Sequence, residues 1–292
     1  MRKCAFFFAS LLLFSVIPIY AIDADEVTEL RSDEISTSQA ALRTGVSLQY
    51  SPVRHLQLDF SEDLRLRNNF TTFDASYTSA QISYKINSYL RIGAAYTFLC
   101  SYEDGKKSTR YENYWQFRHR AQAFVVGGYK FGQWRLTLRE MYQATFRTDL
   151  DTEVRQAEKV NPKMVLRSRL KLDYTFFSKP IKPFLSVEMH NPLNQTSYIK
   201  DMMNSDLTVA NTADANYGKT FRELVRPSWL EKMQYRLGLE WRIDAHSTME
   251  FFYMFEHTLG SDVDIKKDGA RVVVTQEREY SHVIGVYYNY RF

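Results

Sequence analysis

Cysteine is almost missing from this sequence. Its 292 residues include two cysteines, Cys4 and Cys100. Cys4 lies in an apolar N-terminal stretch and lacks the preceding apolar residues of a lipoprotein cleavage site, so no lipid anchor is expected. Cys100 alone cannot form an intrachain disulfide, which excludes a small secreted scaffold held together by disulfides.

Long hydrophobic runs are also scarce. The sequence begins MRKCAFFFASLLLFSVIPIYA, in which Arg2 and Lys3 precede an apolar run to about Ile17 and a small residue, Ala21. This order is typical of a secretory signal peptide. The run is short for a spanning helix, and no second run of about 18 apolar residues follows. We expect residues 1–21 to be a cleaved signal peptide and the mature chain to contain no spanning helix.

An excess of one charge is absent as well. The chain has 38 Lys and Arg against 34 Asp and Glu, and loss of Arg2 and Lys3 with the signal peptide lowers the formal charge from +4 to +2. This near-balance argues against a nucleic-acid partner. The sequence has no zinc-type Cys/His cluster, phosphate-binding glycine loop or calcium-loop spacing, so neither a metal nor another cofactor is predicted.

Aromatic residues are plentiful instead. The chain contains 20 Tyr, 20 Phe and 4 Trp, yet its mean hydropathy is −0.40. Apolar and polar residues alternate, as in LRTGVSLQY, where Leu42, Val46 and Leu48 share one face and Arg43 and Ser47 the other. Alternation of this kind predicts strands that are apolar on one side. About eleven segments follow the pattern, and no helical apolar stripe of comparable length competes with it.

The connections between these segments alternate in length. The short ones are SPVRH, NSY, FGQ, SKPIK and DAHS, and the longer ones cover residues 68–72, 101–113, 147–163, 191–232 and 258–279. Outer-membrane barrels sort their connections in this way, into short periplasmic turns and long extracellular loops. The pattern predicts a closed antiparallel transmembrane β-barrel in the bacterial outer membrane, because only a sheet without free edges can span lipid.

An even number of strands would require one more strand than the eleven alternating segments, and the N-terminal segment is the candidate for it. Bacterial single-chain barrels have even strand numbers, so we expect about twelve strands. The preferred source of the twelfth is a weak strand between about Val27 and Thr37; alternatively, residues 22–38 thread the lumen. The barrel domain itself is expected to cover residues 39–292.

The polar face of the predicted strands carries many charges. By phase, its principal members are Arg65, Arg67, Arg118, Arg120, Arg135, Arg139, Arg167, Arg169, Arg236, Arg242, Asp59, Asp63, Asp173, Glu240, Glu250 and Glu256. The preferred interpretation is a structural network that fills a small lumen. The alternative is a narrow path that attracts anions, because basic residues outnumber acidic ones.

Two carboxylates break the apolar row. Glu62 and Glu140 lie near the middle of LQLDFSEDLRLR and WRLTLREMYQATF, in phase with the apolar residues. A carboxylate facing lipid marks a functional or partner-contact site. The preferred alternative is a β-bulge that turns each residue inward.

Catalytic residues are not evident. An outer-membrane lipid hydrolase or deacylase needs a His beside a Ser and an orienting residue at the rim of the wall. His119, His190 and His257 lie near the expected loops, but no spacing singles out a triad. We therefore expect a non-catalytic protein with a structural or passive-transport role. A lipid hydrolase and, more distantly, a secreted soluble β-sandwich remain the alternatives.

Two further segments stand out at the loops and at the C-terminus. The loop from Asn191 to Lys232 contains aromatic residues that we expect to cap the barrel rather than to contact a partner. The final segment, VIGVYYNYRF, is an apolar strand that ends on Phe292. In a closed wall this strand must pair with the first one.

Several of these segments together resemble a known family. They are LQLDFSEDLRLR, SAQISYKINSYLRIGAAYTF, ENYWQFRHRAQAFVVGGYKFGQWRLTLREMYQ, VLRSRLKLDYTF and VYYNYRF. From Leu42 to Phe292 the chain resembles the uncharacterised outer-membrane family called domain of unknown function 2490. The resemblance implies a bacterial outer-membrane barrel with no assigned activity or site residues. Tyr288, Tyr290 and Phe292 also look like the C-terminal signal read by barrel-assembly machinery, which would be a partner during biogenesis alongside outer-membrane lipid.

Overall fold

The computed structural model describes five stretches of the chain. They are residues 30–103, 114–148, 162–194, 230–265 and 272–292. Side chains are described for residues 40–102, 115–148, 162–194, 230–259 and 278–292. Within these stretches, no helix has the length and apolar character needed to cross a membrane. The expected signal peptide, residues 1–21, lies outside them and stays a prediction.

All regular elements of the described residues are β-strands. They are β1 (Leu30–Val53), β2 (Leu56–Arg67), β3 (Thr72–Lys85), β4 (Leu90–Glu103), β5 (Tyr114–Phe131), β6 (Trp134–Arg147), β7 (Lys163–Tyr174), β8 (Ile181–Pro192), β9 (Lys232–Arg242), β10 (Ser247–Ile265) and β11 (Val272–Arg291). Each exceeds the usual 5–6 residues of strands in soluble sheets and reaches the length that a tilted strand needs to cross a bilayer.

The strands form one closed barrel in which every strand pairs with its neighbours in the chain, and β1 closes the wall against β11. The other pairs are antiparallel, but β1 and β11 are parallel. An odd number of alternating strands requires this, because the first and last then run in the same direction. The expectation of a closed β-barrel is confirmed. The expectation that all pairs are antiparallel is wrong at the β1–β11 seam, and the described chain has eleven strands where about twelve were expected.

The segment expected to supply the twelfth strand is instead part of β1. From Leu30 onward it continues without a turn into the strand that ends at Val53. Its pairing with β11 shifts register between Ser36 and Gln39, close to the boundary expected between residues 38 and 39. The described part of the segment is therefore neither a separate strand nor a lumen-threading segment, because its backbone hydrogen-bonds to β11 in the wall.

The connections divide into two sets at opposite ends of the barrel. Residues 54–55, 86–89, 132–133, 175–180 and 243–246 join strands at what we call the turn end; residues 68–71, 104–113, 148–162, 193–231 and 266–271 join them at the loop end. The first connection at the loop end is itself tight, with positive φ angles at Asn68, Asn69 and Phe70. The loop expected over residues 258–279 is mostly strand, because β10 extends to Ile265 and β11 begins at Val272.

The two faces of the wall differ in polarity, with the apolar face outside. Val46, Leu58, Ile82 and Leu237 are between 38% and 60% exposed, whereas Glu188 on the inner face is 6% exposed. A soluble protein buries its apolar side chains and exposes its charged ones. This barrel has the reverse arrangement, which follows from the period-two alternation of its strands.

Aromatic side chains form two belts on the outer face. Near the loop end, Phe98 stacks on Phe117 with ring centroids 5.9 Å apart. At the turn end, Trp134 packs on Tyr174 at 4.7 Å. Aromatic belts separated by an apolar band of about 25 Å are a feature of transmembrane barrels.

Inside the wall, four glycines make room for aromatic rings on the next strand. The directly paired sets are Gly45 with Tyr287, Gly93 with Phe124, Gly238 with Phe184 and Phe252, and Gly285 with Phe252. A Cβ added at Gly285 would lie 1.9 Å from the ring of Phe252. These rings therefore occupy the space that a side chain at each glycine would need.

Replacement of Gly285 by alanine should destabilise the barrel. The new methyl group would overlap the Phe252 ring, and overpacking costs about 1–3 kcal/mol. Urea unfolding in lipid vesicles, followed by tryptophan fluorescence, measures the change. Gly128→Ala is the matched control, because its nearest contact would be Arg135 Nη2 at 3.6 Å. Equal stability of the two variants would contradict the packing described here.

Closure by the parallel pair can be tested with cysteines. In a Cys100→Ser background, Ser47→Cys with Asn289→Cys should form a disulfide, because the two positions are direct partners on β1 and β11. Ser47→Cys with Ser79→Cys is the control, since β2 lies between these positions and a disulfide needs Cα atoms within about 7 Å. Oxidation followed by electrophoresis reads the result. A bond in the control pair alone would refute the closure.

Candidate functional site

The charged face expected from the sequence lines the inside of the barrel. Register and burial place all sixteen predicted lumen charges on the inner face: those of β2, β5, β6, β7, β9 and β10 point inward on alternating positions. Arg135 and Arg242 lie at the turn-end mouth and are exposed. The alternation of polar and apolar residues predicts that these side chains point inward. It does not predict which of them form ion pairs with one another.

A four-membered ion network joins β7, β8 and β9. Lys171 Nζ lies 3.1 Å from Asp173 and 2.7 Å from Glu240, and Lys182 Nζ lies 3.3 Å and 2.9 Å from the same two carboxylates. Each ammonium therefore contacts both acids. Such networks outperform single pairs because several charges share the cost of fixing each side chain.

Glu256 is the centre of a second group. Its carboxylate accepts hydrogen bonds from Arg43 at 3.1 Å, Lys232 at 2.6 Å and Gln234 at 2.5 Å. Arg43 is on β1 and reaches past β11 to β10. The group thus ties the closing strands together from inside. On the same side, Arg236 lies 3.5 Å from Glu250.

A third group lies beside β2. Arg65 forms a 2.9 Å ion pair with Asp63, which also accepts a 3.1 Å hydrogen bond from the hydroxyl of Tyr287. The guanidinium of Arg65 lies 3.8 Å from the ring centroid of Tyr77. Asp59 accepts from the amides of three glutamines, Gln49, Gln57 and Gln81.

Glu188 on β8 forms ion pairs with two arginines on β7. It pairs with Arg167 and lies 3.8 Å from Arg169, and it is also hydrogen-bonded at 3.0 Å to His190, two residues along the same strand. Glu188 is therefore shared among three basic side chains. The alternation of β8 already predicts that Glu188 points inward, and the same phase applies to His190, but the sequence did not predict their contact.

The opposite wall is different, because its cations greatly outnumber its acids. On β3, β4, β5 and β6 the inward charged side chains that the structure describes are Lys85, Arg91, Arg118, Arg120, Lys130, Arg135, Arg139 and Arg147. Few acids accompany them: Asp74 on β3 lies 3.9 Å from Arg67 on β2, and Glu103, the last residue of β4, lies outside the described side chains. We call this surface the cationic wall.

Several members of the cationic wall face one another directly. Lys85 pairs in register with Arg91, and Arg118 with Arg147. Lys130 is likewise opposite Arg135. Like charges directly opposite in an antiparallel pair are destabilising, so this wall is not arranged for stability alone.

Glu62 and Glu140 lie on the outer face. The pairing of β2 with β1 and β3 runs through Glu62 without a shift, and the pairing of β6 with β5 and β7 runs through Glu140 in the same way. The expected β-bulges are therefore wrong. Each glutamate is six residues from the turn-end start of its strand, so the two acids occupy equivalent places in the apolar band.

Hydroxyl groups on the next strand satisfy these acids. Glu62 accepts hydrogen bonds from Ser76 Oγ and, at 2.5 Å, from Thr78 Oγ1; Glu140 accepts from Ser168 Oγ at 2.6 Å. Ser76, Thr78 and Ser168 interrupt their own apolar rows. A polar residue in phase with the apolar row of the neighbouring strand is the sequence signal that could have revealed this pairing.

The three histidines considered for catalysis do not converge. His119 is on the outer face of β5, hydrogen-bonded to the hydroxyl of Tyr96 at 2.5 Å. His257 is on the outer face of β10 and stacks on Tyr280 at 4.7 Å. His190 is on the inner face of β8. The wall separates His190 from the other two, and His119 and His257 lie on strands that are not neighbours. The described residues contain no group of three or more metal-ligating side chains.

The C-terminal residues lie on the outer face at the turn end. Phe292 packs edge-on against Tyr290 and Tyr50, with centroids 5.0 Å and 6.4 Å apart. Tyr288 shares their face and lies 3.1 Å from Ser247 Oγ through its hydroxyl. Most of the 191–232 loop, residues 195–229, lies outside the described residues, so its expected capping role stays a prediction.

Comparison with known families identifies the chain. A family model described as a protein of unknown function, DUF2490, matches residues 42–206, more than half of the sequence. The chain belongs to the DUF2490 family. The resemblance noted from the strand patterns is thereby confirmed. No curated protein sequence matches this DUF2490 member.

A solved structure also matches in part. An anion-selective porin from Comamonas acidovorans aligns with a TM-score of 0.31 at 9% identity, over 79% of this chain and 53% of the porin. The DUF2490 member thus spans about half the length of that porin. At this TM-score the match does not establish a shared arrangement of strands.

Removing the hydroxyl partners of Glu62 should destabilise the barrel. With Ser76→Ala and Thr78→Val together, the carboxylate would lose both donors in an apolar setting, and the free energy of unfolding should fall by about 1–3 kcal/mol. In a Glu62→Leu background the same two changes should cost much less. Urea unfolding in vesicles gives all four values of this cycle. Equal losses in the two backgrounds would show that the hydroxyls do not act through Glu62.

Proposed function

We propose that this DUF2490 member is an outer-membrane β-barrel that provides a narrow, passive route for small anions. The membrane placement is supported by its reversed polarity, with an apolar outer face between two aromatic belts. Closure of the sheet satisfies the backbone polar groups that lipid could not. The N-terminal signal-peptide pattern agrees with export from the cytoplasm.

The observation that carries the route is the cationic wall. Its members extend from Arg135 and Lys130 at the turn end, through Arg139 and Arg120, to Arg147 near the loop end. Anions moving along this wall would pass a succession of positive charges. Rings of Arg and Lys favour anions in pores through the same attraction.

The lumen is narrow enough to restrict the solute to small molecules. Eleven strands form a barrel only somewhat wider than the eight-stranded type, whose interior is filled by side chains. Arg139 on β6 reaches Gln81 on β3 with a 3.2 Å hydrogen bond, and the guanidinium of Arg120 lies 5.5 Å from the ring of Tyr77. These contacts bridge strands that are not neighbours and leave little room between them.

The ion-paired side of the lumen holds the wall of the barrel in a fixed shape around the route. Glu256, Glu240 and Asp173 each bind two cations, so this half is a fixed scaffold with its charges largely matched. The cationic wall faces it with a marked excess of positive charge. A structural role and a passive-transport role thus belong to different halves of one lumen.

Two partners follow from this placement. Outer-membrane lipid would surround the apolar face, and barrel-assembly machinery would insert the chain with Tyr288, Tyr290 and Phe292 as its recognition signal. These aromatic residues lie together on the outer face of the last strand, where another protein could reach them before insertion.

Planar-bilayer recordings test the route. The purified protein should conduct with small unit currents, and its reversal potential in a potassium chloride gradient should show a preference for chloride. Arg118→Gln with Arg147→Gln should move the reversal potential toward zero, because these substitutions remove two charges from the cationic wall. Lys179→Gln is the control, since Lys179 lies in the connection between β7 and β8.

Either of two results would overturn the proposal. Complete absence of conductance in a correctly inserted protein would leave the barrel as a closed scaffold. A preference for potassium over chloride would show that the cationic wall does not face the permeating ion.

A further inference from the structure

Two arginines face each other inside the barrel where β6 meets β7. Arg139 and Arg169 are direct partners in the register of these strands, and both side chains are partly buried on the inner face. Like charges placed directly opposite destabilise an antiparallel pair. An anion bound between the two guanidinium groups would attract both, and this attraction would offset their mutual repulsion.

The protein leaves most of the donors of these arginines unused. A guanidinium has five N–H donors. Arg139 Nη2 donates to Gln81 Oε1 at 3.2 Å, while its buried Nε has no hydrogen-bond partner among the described residues. Arg169 Nε lies 3.8 Å from Glu188 Oε2, which is beyond a hydrogen bond.

Glu188, the carboxylate beside Arg169, is already occupied. Glu188 Oε1 accepts from Arg167 Nε at 2.7 Å and is hydrogen-bonded to His190 Nε2 at 3.0 Å. The single negative charge of Glu188 is therefore shared between Arg167 and Arg169. Arg139 has no ion pair among the described residues, so the group keeps a net positive charge.

The guanidinium of Arg139 is held in place. It lies 4.2 Å from the centroid of the Phe124 ring, and that ring lies over Gly93, where an added Cβ would be 2.4 Å from it. Gln81 holds the other side of the group from β3. A donor group fixed before binding loses less entropy when the ligand arrives.

We propose that Arg139 and Arg169 form a binding site for a small oxyanion, a carboxylate or phosphate group, inside the lumen. The site deepens the proposed function and rests on it, because the anion must enter along the cationic wall. Two guanidinium forks match the paired oxygens of such a group, which a spherical chloride ion does not offer. Passing oxyanions would pause here, whereas chloride would not.

Inorganic phosphate is the probe for this site. Thermal unfolding of the detergent-solubilised full chain should shift upward in phosphate, beyond the shift in potassium chloride of equal ionic strength, because a ligand that binds only the folded state stabilises it. Arg139→Gln and Arg169→Gln should abolish the additional shift. Arg147→Gln, which removes a charge elsewhere on the cationic wall, should retain it.

Arg139→Lys separates the planar fork of the guanidinium from its positive charge. Lysine keeps the charge but lacks the fork, so the phosphate shift should fall well below that of the wild type. Arg139→Lys also provides the test if Arg139→Gln does not fold. A phosphate shift equal to that of the wild type in Arg139→Lys and Arg169→Gln would overturn the site while leaving the route intact.

The opposite combination is equally informative. A phosphate shift that depends on Arg139 in a protein without conductance would support the site and remove the route. A wild-type shift no larger than that in potassium chloride would refute the oxyanion site directly.

Discussion

The hydrogen bonds between β1 and β11 close the barrel. Without them the sheet would have two open edges, and there would be no enclosed inner face. Lipid offers no partner for an unpaired backbone N–H or C=O group, and an open edge in water invites pairing with another chain. The parallel pairing from Leu30 to Gln49 removes both edges. Parallel pairing at the seam also permits an odd number of strands. When eleven strands alternate in direction, the first and the last run the same way.

Closure also creates an enclosed inner face, and the charges there divide into two halves. Strands β7 to β10 supply the acids Asp173, Glu188, Glu240, Glu250 and Glu256, each placed near cations of adjoining strands. Strands β3 to β6 supply mainly cations over their described side chains. Ion-paired charges stabilise a fixed frame, and an excess of positive charge attracts anions. The polar lumen thus combines a scaffold with a candidate route.

The outer face tolerates two acids because the backbone positions donors beside them. Glu62 receives hydroxyl groups from Ser76 and Thr78, and Glu140 receives one from Ser168. A bulge would have moved each glutamate inward, but it would have broken the ladder on both sides. Retaining the ladder and adding hydroxyl partners keeps the sheet regular at the cost of a polar patch in the apolar band.

The sequence by itself determined most of the strands, the face on which most of their side chains lie and the resemblance to the family. Alternation of apolar and polar residues is a local property, so it placed Arg139, Asp173 and Glu256 on the inner face and Phe292 on the outer one. The tertiary structure alone decided which strands meet at the seam, that Leu30 onward belongs to β1, and that Arg139 lies opposite Arg169. These outcomes depend on register between strands far apart in the chain, and a period of two carries no information about register.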